Sequence, residues 1–308
     1  MDLSTLVYGL NLAAIYGLMA IGISILWSSV GMINMAHGAT FAVSGYAAWL
    51  ASTAMKPVIA AAFGKTLLAS LATAGVVVGV ALIAGALMGA LIYLLAFLPI
   101  HDKPNFAVRS LIVTLAINIA TVQALLFFFG PRSRGLPKIF GFGRLEIFGV
   151  SIRYDQAGTI LCTAVLLLVV LEWLRHSRKG LEICAMMQNP EGAALSGVSV
   201  RFTALPIMMV TGALAGMAAA LLSQTIFVSP TAGAIPLIKG LTIALLGGLG
   251  SVPGAVLGAL LIGFLEAFTG VIPFLGQRYV MFIQFAFIIT VLVIRPRGLG
   301  GLLDDTRE

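Results

Sequence analysis

Charged residues make up only 9% of this 308-residue sequence, against about 25% in ordinary soluble domains. Hydrophobic residues make up 60%. That balance excludes a water-soluble enzyme or nucleic-acid-binding domain and sets the class as a membrane protein. The apolar sequence comes in continuous runs, not in alternating segments of about ten residues, which excludes a transmembrane β-barrel. Cysteine is scarce as well: Cys162 and Cys184 cannot form a disulfide framework. Cys162 lies in an apolar run and Cys184 in a basic loop, so two free thiols are expected. The three histidines, His37, His101 and His176, are far apart in the sequence, with no cysteine at ligand spacing. No metal site and no catalytic constellation is expected. Gly64-Lys65-Thr66 resembles the end of a P-loop, but the first glycine of that motif would fall at Ile59, and no strand precedes it. This chain is expected to bind no cofactor.

Apolar runs fall near 4–28, 39–54, 66–98, 109–129, 157–174, 203–224, 236–250, 254–270 and 279–294. A bilayer core about 30 Å thick needs about 20 helical residues per crossing. The fold class is therefore all-α: a polytopic transmembrane helical bundle of about eight or nine membrane segments, in one domain spanning 1–308. The run at 236–250 is short and glycine-rich and reads as re-entrant. The run at 66–98 is long for one span and must tilt or begin with an interfacial segment. The start, Met1-Asp2-Leu3-Ser4, has no basic region and no cleavage site, so the first span is expected to be retained.

Two breaks organise the chain. Gly31-Met32-Ile33-Asn34-Met35-Ala36-His37-Gly38 interrupts the first fifty residues, and Gly247 to Gly254 is the second. Irregular backbone at membrane depth survives only where protein buries it or a polar cavity lines it. In transporters such breaks sit beside the substrate route. Asn34, His37, Gly38, Gly247, Gly248 and Gly250 are accordingly the candidate pathway or gate residues. For Asn34 and His37 the alternative is structural, the side chains holding the break together. Lys239 and Glu266 lie well inside apolar runs, with Glu172 near a span end. They either snorkel to the interface or pair. A proton relay would need a chain of carboxylates or histidines, which this core lacks. Movement is therefore expected to be driven by a partner. Glycines four apart, at 75 and 79, 85 and 89, 212 and 216, and 254 and 258, predict close helix packing.

The net charge of +7 points to topology and anionic lipid, not to nucleic acid. One set of alternate loops carries nine cations (Lys103, Arg109, Arg175, Arg178, Lys179, Arg201, Arg295, Arg297, Arg307). The other carries eight (Lys56, Lys65, Arg132, Arg134, Lys138, Arg144, Arg153, Arg278). The clusters abutting span ends, Arg175 to Lys179 and Arg295 to Arg297, favour the first set as cytoplasmic. That puts the N-terminus outside and the C-terminus inside. Residues 130–156 then form an external loop, and 175–202 an internal one in which Pro190 and Glu191 suit the start of a short helix.

Three stretches carry a family resemblance. They are Gly31-Met-Ile-Asn-Met-Ala-His-Gly38, Leu246-Gly-Gly-Leu-Gly-Ser-Val-Pro-Gly-Ala-Val-Leu-Gly258, and Glu191-Gly-Ala-Ala-Leu-Ser-Gly197 with Pro206 downstream. With the loop Gly130 to Pro137 and the ending Arg295-Pro-Arg-Gly298, they run almost end to end. The chain resembles a branched-chain amino acid ABC-transporter permease of the leucine/isoleucine/valine type, a family related to urea permeases. The resemblance implies a bacterial inner-membrane subunit with a periplasmic N-terminus and a cytoplasmic C-terminus. It also implies a second homologous permease as heterodimer partner, two cytoplasmic ATPases that bind ATP and Mg, and a periplasmic solute-binding protein. Glu191, Gly192, Ala193, Ala194, Leu195 and Gly197 would form the ATPase-coupling loop within 175–202. The sequence departs from the family pattern at Leu98-Pro-Ile-His-Asp-Lys-Pro104, where a longer basic stretch is usual, and at Gly192, where alanine is usual. Gly192 costs the helix about 1 kcal/mol relative to alanine. The rival readings are a urea, amide or aromatic-acid importer, an autonomous channel or secondary transporter, and a membrane enzyme.

Overall fold

The computed structural model describes residues 3–300 apart from 65, 142, 148–149, 273–275 and 297. Lys65, Arg297 and Arg307, used in weighing the two sides, lie outside the described residues. Helix α1 (Leu3–Val30) is followed by α2 (His37–Phe63) and α3 (Leu67–Ile92). A π-helical turn, Tyr93–Phe97, leads into α4 (Leu98–Ile100), and α5 spans Phe106–Phe129. The antiparallel strands β1 (Arg144–Ile147) and β2 (Val150–Arg153) precede α6 (Tyr154–His176), α7 (Arg178–Gln188) and α8 (Pro190–Leu195). The chain ends with α9 (Val200–Leu222), α10 (Ala234–Gly247), α11 (Val252–Val271) and α12 (Val280–Ile294).

Each of the nine apolar runs lies mainly within a helix. Among the described residues, six helices are long and apolar enough to cross a bilayer, and α10 and α12 are shorter apolar helices. The 14 residues of α10 rise only about 21 Å, too little for a full crossing. The long third run is one unbroken apolar helix from Leu68 to Ile100, 33 residues, with no separate interfacial start. Lys56, assigned to a loop from sequence, sits within α2, on the helical turn beside Pro57.

Burial ranks the helices. In α1, 89% of the apolar stretch is buried, and in α9 72%, against 11% in α5 and 17% in α6. So α1 and α9 form the centre, and α5 and α6 present apolar faces outward, as lipid-facing helices do. Small residues permit the tight centre. Gly9 meets Phe264, Gly17 meets Ala259, and Gly263 meets the backbone of Ala13, which sets α1 and α11 antiparallel. A Cβ at Gly85 would collide with the Gly212 carbonyl, and one at Gly89 with the Met208 carbonyl. The α3–α9 seam is thus built on glycine pairs predicted from spacing. A Cβ at Gly75 or Gly79 would meet nothing within 4 Å among the described residues.

The two ends of the bundle differ. At one end the N-terminus of α1 meets the β-hairpin, whose register pairs Arg144 with Arg153. This hairpin, within 130–156, was not expected from the sequence. At the other end the Tyr93 hydroxyl donates to the Arg201 carbonyl at 3.0 Å, tying the π turn to the start of α9. Helices α7 and α8 stand at this second end.

Candidate functional site

Val30 ends α1, Gly31 turns the chain with φ +65°, and residues 31–36 return alongside α1. The return is measurable from His37, which packs against Gly22. Gly22 lies eight residues before the end of α1, about 12 Å back along its axis. Helix α2 therefore starts inside the bundle, not at its edge. The backbone of this segment is satisfied by protein, as its depth requires. The Met35 N–H donates to the Thr114 hydroxyl at 3.0 Å, and that hydroxyl donates to the Ser110 carbonyl at 2.7 Å. Asn34 Oδ1 accepts from the Ala36 N–H at 2.9 Å. This bond ties the Asn34 side chain to the backbone of the turn.

A second segment does the same from the opposite direction. After α9 the chain runs back along α2: Gly45 faces Ser223 and Val228, and Gly38 meets Gly233 backbone to backbone. Val228 is held by paired backbone hydrogen bonds with Arg134, 2.8 Å each way. Helix α10 begins at that depth, so the starts of α2 and α10 meet inside the bundle, each beside a glycine. The expected glycine break at the far end of α10 is a tight turn between α10 and α11. Gly248 and Gly250 adopt φ +89° and +95°, and Gly247 packs on Gly254. The Gly250 N–H donates to Ser24 Oγ at 3.2 Å, seating the turn on α1. The Leu299 N–H closes it from the C-terminal side on the Leu246 carbonyl at 2.8 Å. Both breaks thus lie against α1. Gly38 meets the re-entrant segment, whereas Gly247, Gly248 and Gly250 form a packed hinge between α10 and α11.

Sequence inspection missed a polar seam on α2. His37, Thr40, Ser44 and Ser52 recur at helical spacing, and all are buried. His37 Nε2, Ser44 Oγ and Ser52 Oγ have no hydrogen-bond partner among the described residues. Ser44 faces Gly216 on α9, and His37 and the Thr211 carbonyl both lie against Gly22 of α1. An unmade hydrogen bond at a buried polar group costs about 1–3 kcal/mol, so three in one seam call for an explanation. The 3–4–8 spacing of small polar residues was the available signal.

Lys239 and Glu266 are both buried and paired, Nζ to Oε2 at 2.6 Å. Lys239 also donates to the Tyr16 hydroxyl at 2.9 Å, and Gln284 donates to Glu266 Oε2 at 2.8 Å. The cluster ties α1, α10, α11 and α12 together. Pairing, not snorkelling, resolves the cost of these charges. Glu172, the other acidic residue noted near a span, is exposed and paired with His176 at 2.9 Å.

At the far end of the bundle, Ser177 caps α7 by accepting from the Gly180 N–H at 2.8 Å. Gly180, Ile183 and Met186 form its buried face, and α7 packs on α1, α6 and α9. Glu182 accepts from Lys179 at 2.7 Å and from Thr203 at 2.8 Å. These hydrogen bonds, Lys179's first, hold its carboxyl below the usual carboxylate range. Asn189 caps α8 through Gly192 N–H at 2.9 Å, with Pro190 at the first position and Glu191 in the first turn. Of the named loop residues, Ala193 is buried, Gly197 turns the chain with φ +88°, and Leu195 is 91% exposed.

The sequence model of the permease component of branched-chain amino acid transport systems matches residues 5–292. The chain belongs to that permease family. The family's member LivH, the high-affinity branched-chain amino acid transport system permease protein of Escherichia coli K12, is 27% identical over 95% of this chain and 93% of its own. BraD of Pseudomonas aeruginosa PAO1, of the same description, is 29% identical over 97% and 95%. A probable LivH of Methanocaldococcus jannaschii is 28% identical over 92% and 88%. The fructose import permease protein FrcC of Rhizobium meliloti is 35% identical over a shorter stretch, 39% of this chain. No solved structure matches. Family membership makes this chain a transport subunit of the membrane.

Proposed function

We propose that this chain is the membrane-spanning subunit of an ATP-driven importer for a small polar solute, with branched-chain amino acids first. The family match over residues 5–292 supports the permease role, and the names of the LivH and BraD relatives support the substrate class. The observation that carries the coupling mechanism is Leu195. A large apolar side chain stands 91% exposed on a short capped helix, at the end where α9 begins. In this reading that side chain is an apolar anchor seated in a groove of the partner. In this reading α8 docks on a cytoplasmic ATPase, 175–202 is cytoplasmic, and 130–156 is periplasmic. The C-terminus shares the cytoplasmic side and the N-terminus lies opposite. ATP and Mg²⁺ belong to the two ATPases, a second permease completes the pathway, and a periplasmic binding protein delivers the solute.

The transmission route follows the packing. Force on α8 reaches α7, whose buried face rests on the central helix α1. Helix α1 carries both breaks, so its displacement changes how the starts of α2 and α10 meet. The unpaired polar groups of His37, Ser44 and Ser52 would then serve a passing solute in one state of an alternating-access cycle.

The test is Leu195→Glu in the assembled complex with its ATPases and binding protein. Because Leu195 touches solvent, the melting temperature of the subunit should stay unchanged. Solute-stimulated ATP hydrolysis should fall at least about tenfold, the scale of one buried apolar anchor. Unaltered stimulated hydrolysis would overturn the coupling assignment.

A further inference from the structure

We propose that the cleft between the start of α1 and the β-hairpin binds a phosphate-bearing anion of the size of a phospholipid headgroup. The cleft holds about 290 Å³ and is lined by Ser4, Tyr8, Arg144, Ser151, Arg153 and Gln156. Its charge has three independent sources. Arg144 and Arg153 are directly opposed across the strand pair, so both project from one face of the hairpin. Ser4 lies in the first turn of α1, a helix of 28 residues. Gln156 lies in the first turn of α6, a helix of 23 residues. Two long helices therefore aim the positive ends of their dipoles at the same space as two guanidiniums. The hydroxyls of Ser4, Tyr8 and Ser151 add donors suited to phosphate oxygens.

The counter-charges leave a surplus. Arg153 is paired with Asp155, Nε to Oδ1 at 3.2 Å, and Asp155 is also 3.5 Å from Lys138. Glu146 shares the hairpin face, opposite Ser151, but does not line the cleft. Arg144 is exposed and forms no ion pair with any described residue. Its planar fork is free for a bidentate phosphate contact.

A phospholipid headgroup and a soluble phosphate ester both carry the group that this lining would hold, and binding measurements tell them apart. A free anion would use only the polar part of the cleft.

The experiment measures binding of dioctanoyl phosphatidylglycerol, dioctanoyl phosphatidylcholine and glycerol 3-phosphate to the full chain in its assembled complex in neutral detergent. Wild type is compared with Arg144→Gln, Arg144→Lys and Ser151→Val. Phosphatidylglycerol should bind about tenfold more weakly to Arg144→Gln, the order expected for one charge-assisted contact, with Arg144→Lys in between. Ser151→Val should weaken it less, at unchanged melting temperature. Glycerol 3-phosphate binding with the same Arg144 dependence would assign a free anion. Its failure to bind, with phosphatidylglycerol binding intact, would assign the lipid. Equal binding of phosphatidylglycerol to wild type and Arg144→Gln, or equal binding of the choline lipid, overturns the proposal. So does a variant that binds lipid normally yet loses affinity for the soluble binding protein, since the cleft would then be a protein dock.

Discussion

At the residue scale, buried polar groups divide into two kinds. The Lys239–Glu266 pair has all its partners and holds helices together. Lys239→Met alone should destabilise the detergent-solubilised protein by about 3 kcal/mol, because it strands a buried carboxylate. The double variant Lys239→Met with Glu266→Met should be milder than either single one, read as thermal midpoints. A double variant as damaged as the sum of the singles would contradict a closed pair. The seam on α2 is the other kind. Removing an unpaired buried hydroxyl should not weaken the fold, so Ser44→Ala and Ser52→Ala should hold or raise the melting temperature. In the importer reading both should slow solute uptake several-fold. A loss of stability with uptake intact would make these hydroxyls structural. Glu182 adds a pH dependence outside the membrane. Its folded pKa is lowered by Lys179 and Thr203, so its contribution is present above the ordinary carboxylate pKa of about 4.3. It fades as the pH falls through the lowered value. The stability difference between wild type and Glu182→Gln should therefore be full at pH 7 and close on acidification below about pH 4.

At the element scale, helices meet through glycine, and the consequence is directional. Gly212→Leu drives a side chain into the Gly85 carbonyl and should separate α3 from α9. The expected cost is at least about 1–3 kcal/mol, and expression of folded protein should fall. Gly75→Leu meets nothing within reach and should leave the melting temperature unchanged. The sequence shows the same four-residue spacing at both places, and that is the limit of its legibility. Spacing reports that two small residues share a face. It does not report whether another helix covers that face. The nine apolar runs were readable because membrane helices must satisfy their own backbone. The hairpin at 144–153 was not, since its alternation lasts four residues per strand. The depth at which α2 begins was equally hidden. Gly31 and His37 marked a break, but only the contact of His37 with Gly22 shows that the chain climbs back before resuming a helix. The short helix at 190–195 was legible from Pro190 and Glu191. Helix α7 before it was not singled out, because its basic start resembles a loop.

At the scale of the whole molecule, the first helix is the most buried, and its partners come from the other end of the chain. Tyr16 bonds to Glu266 across 250 positions. During synthesis at about 5–20 residues per second, roughly 10–50 s separate the making of these two side chains. Through that interval α1 sits in lipid without the α10 and α11 faces it will meet. Lys239 must also enter the bilayer before its carboxylate partner exists. The nascent chain therefore passes through a stage with an uncompensated intramembrane charge. A chain ended after α10 is frozen at that stage. Ribosome-released fragments ending at 250 should be cleared by membrane proteases several-fold faster than fragments ending after Gln284, as pulse-chase labelling would measure. The charge cluster then acts as a checkpoint on completion, read by quality control and set by the order in which the polypeptide is made.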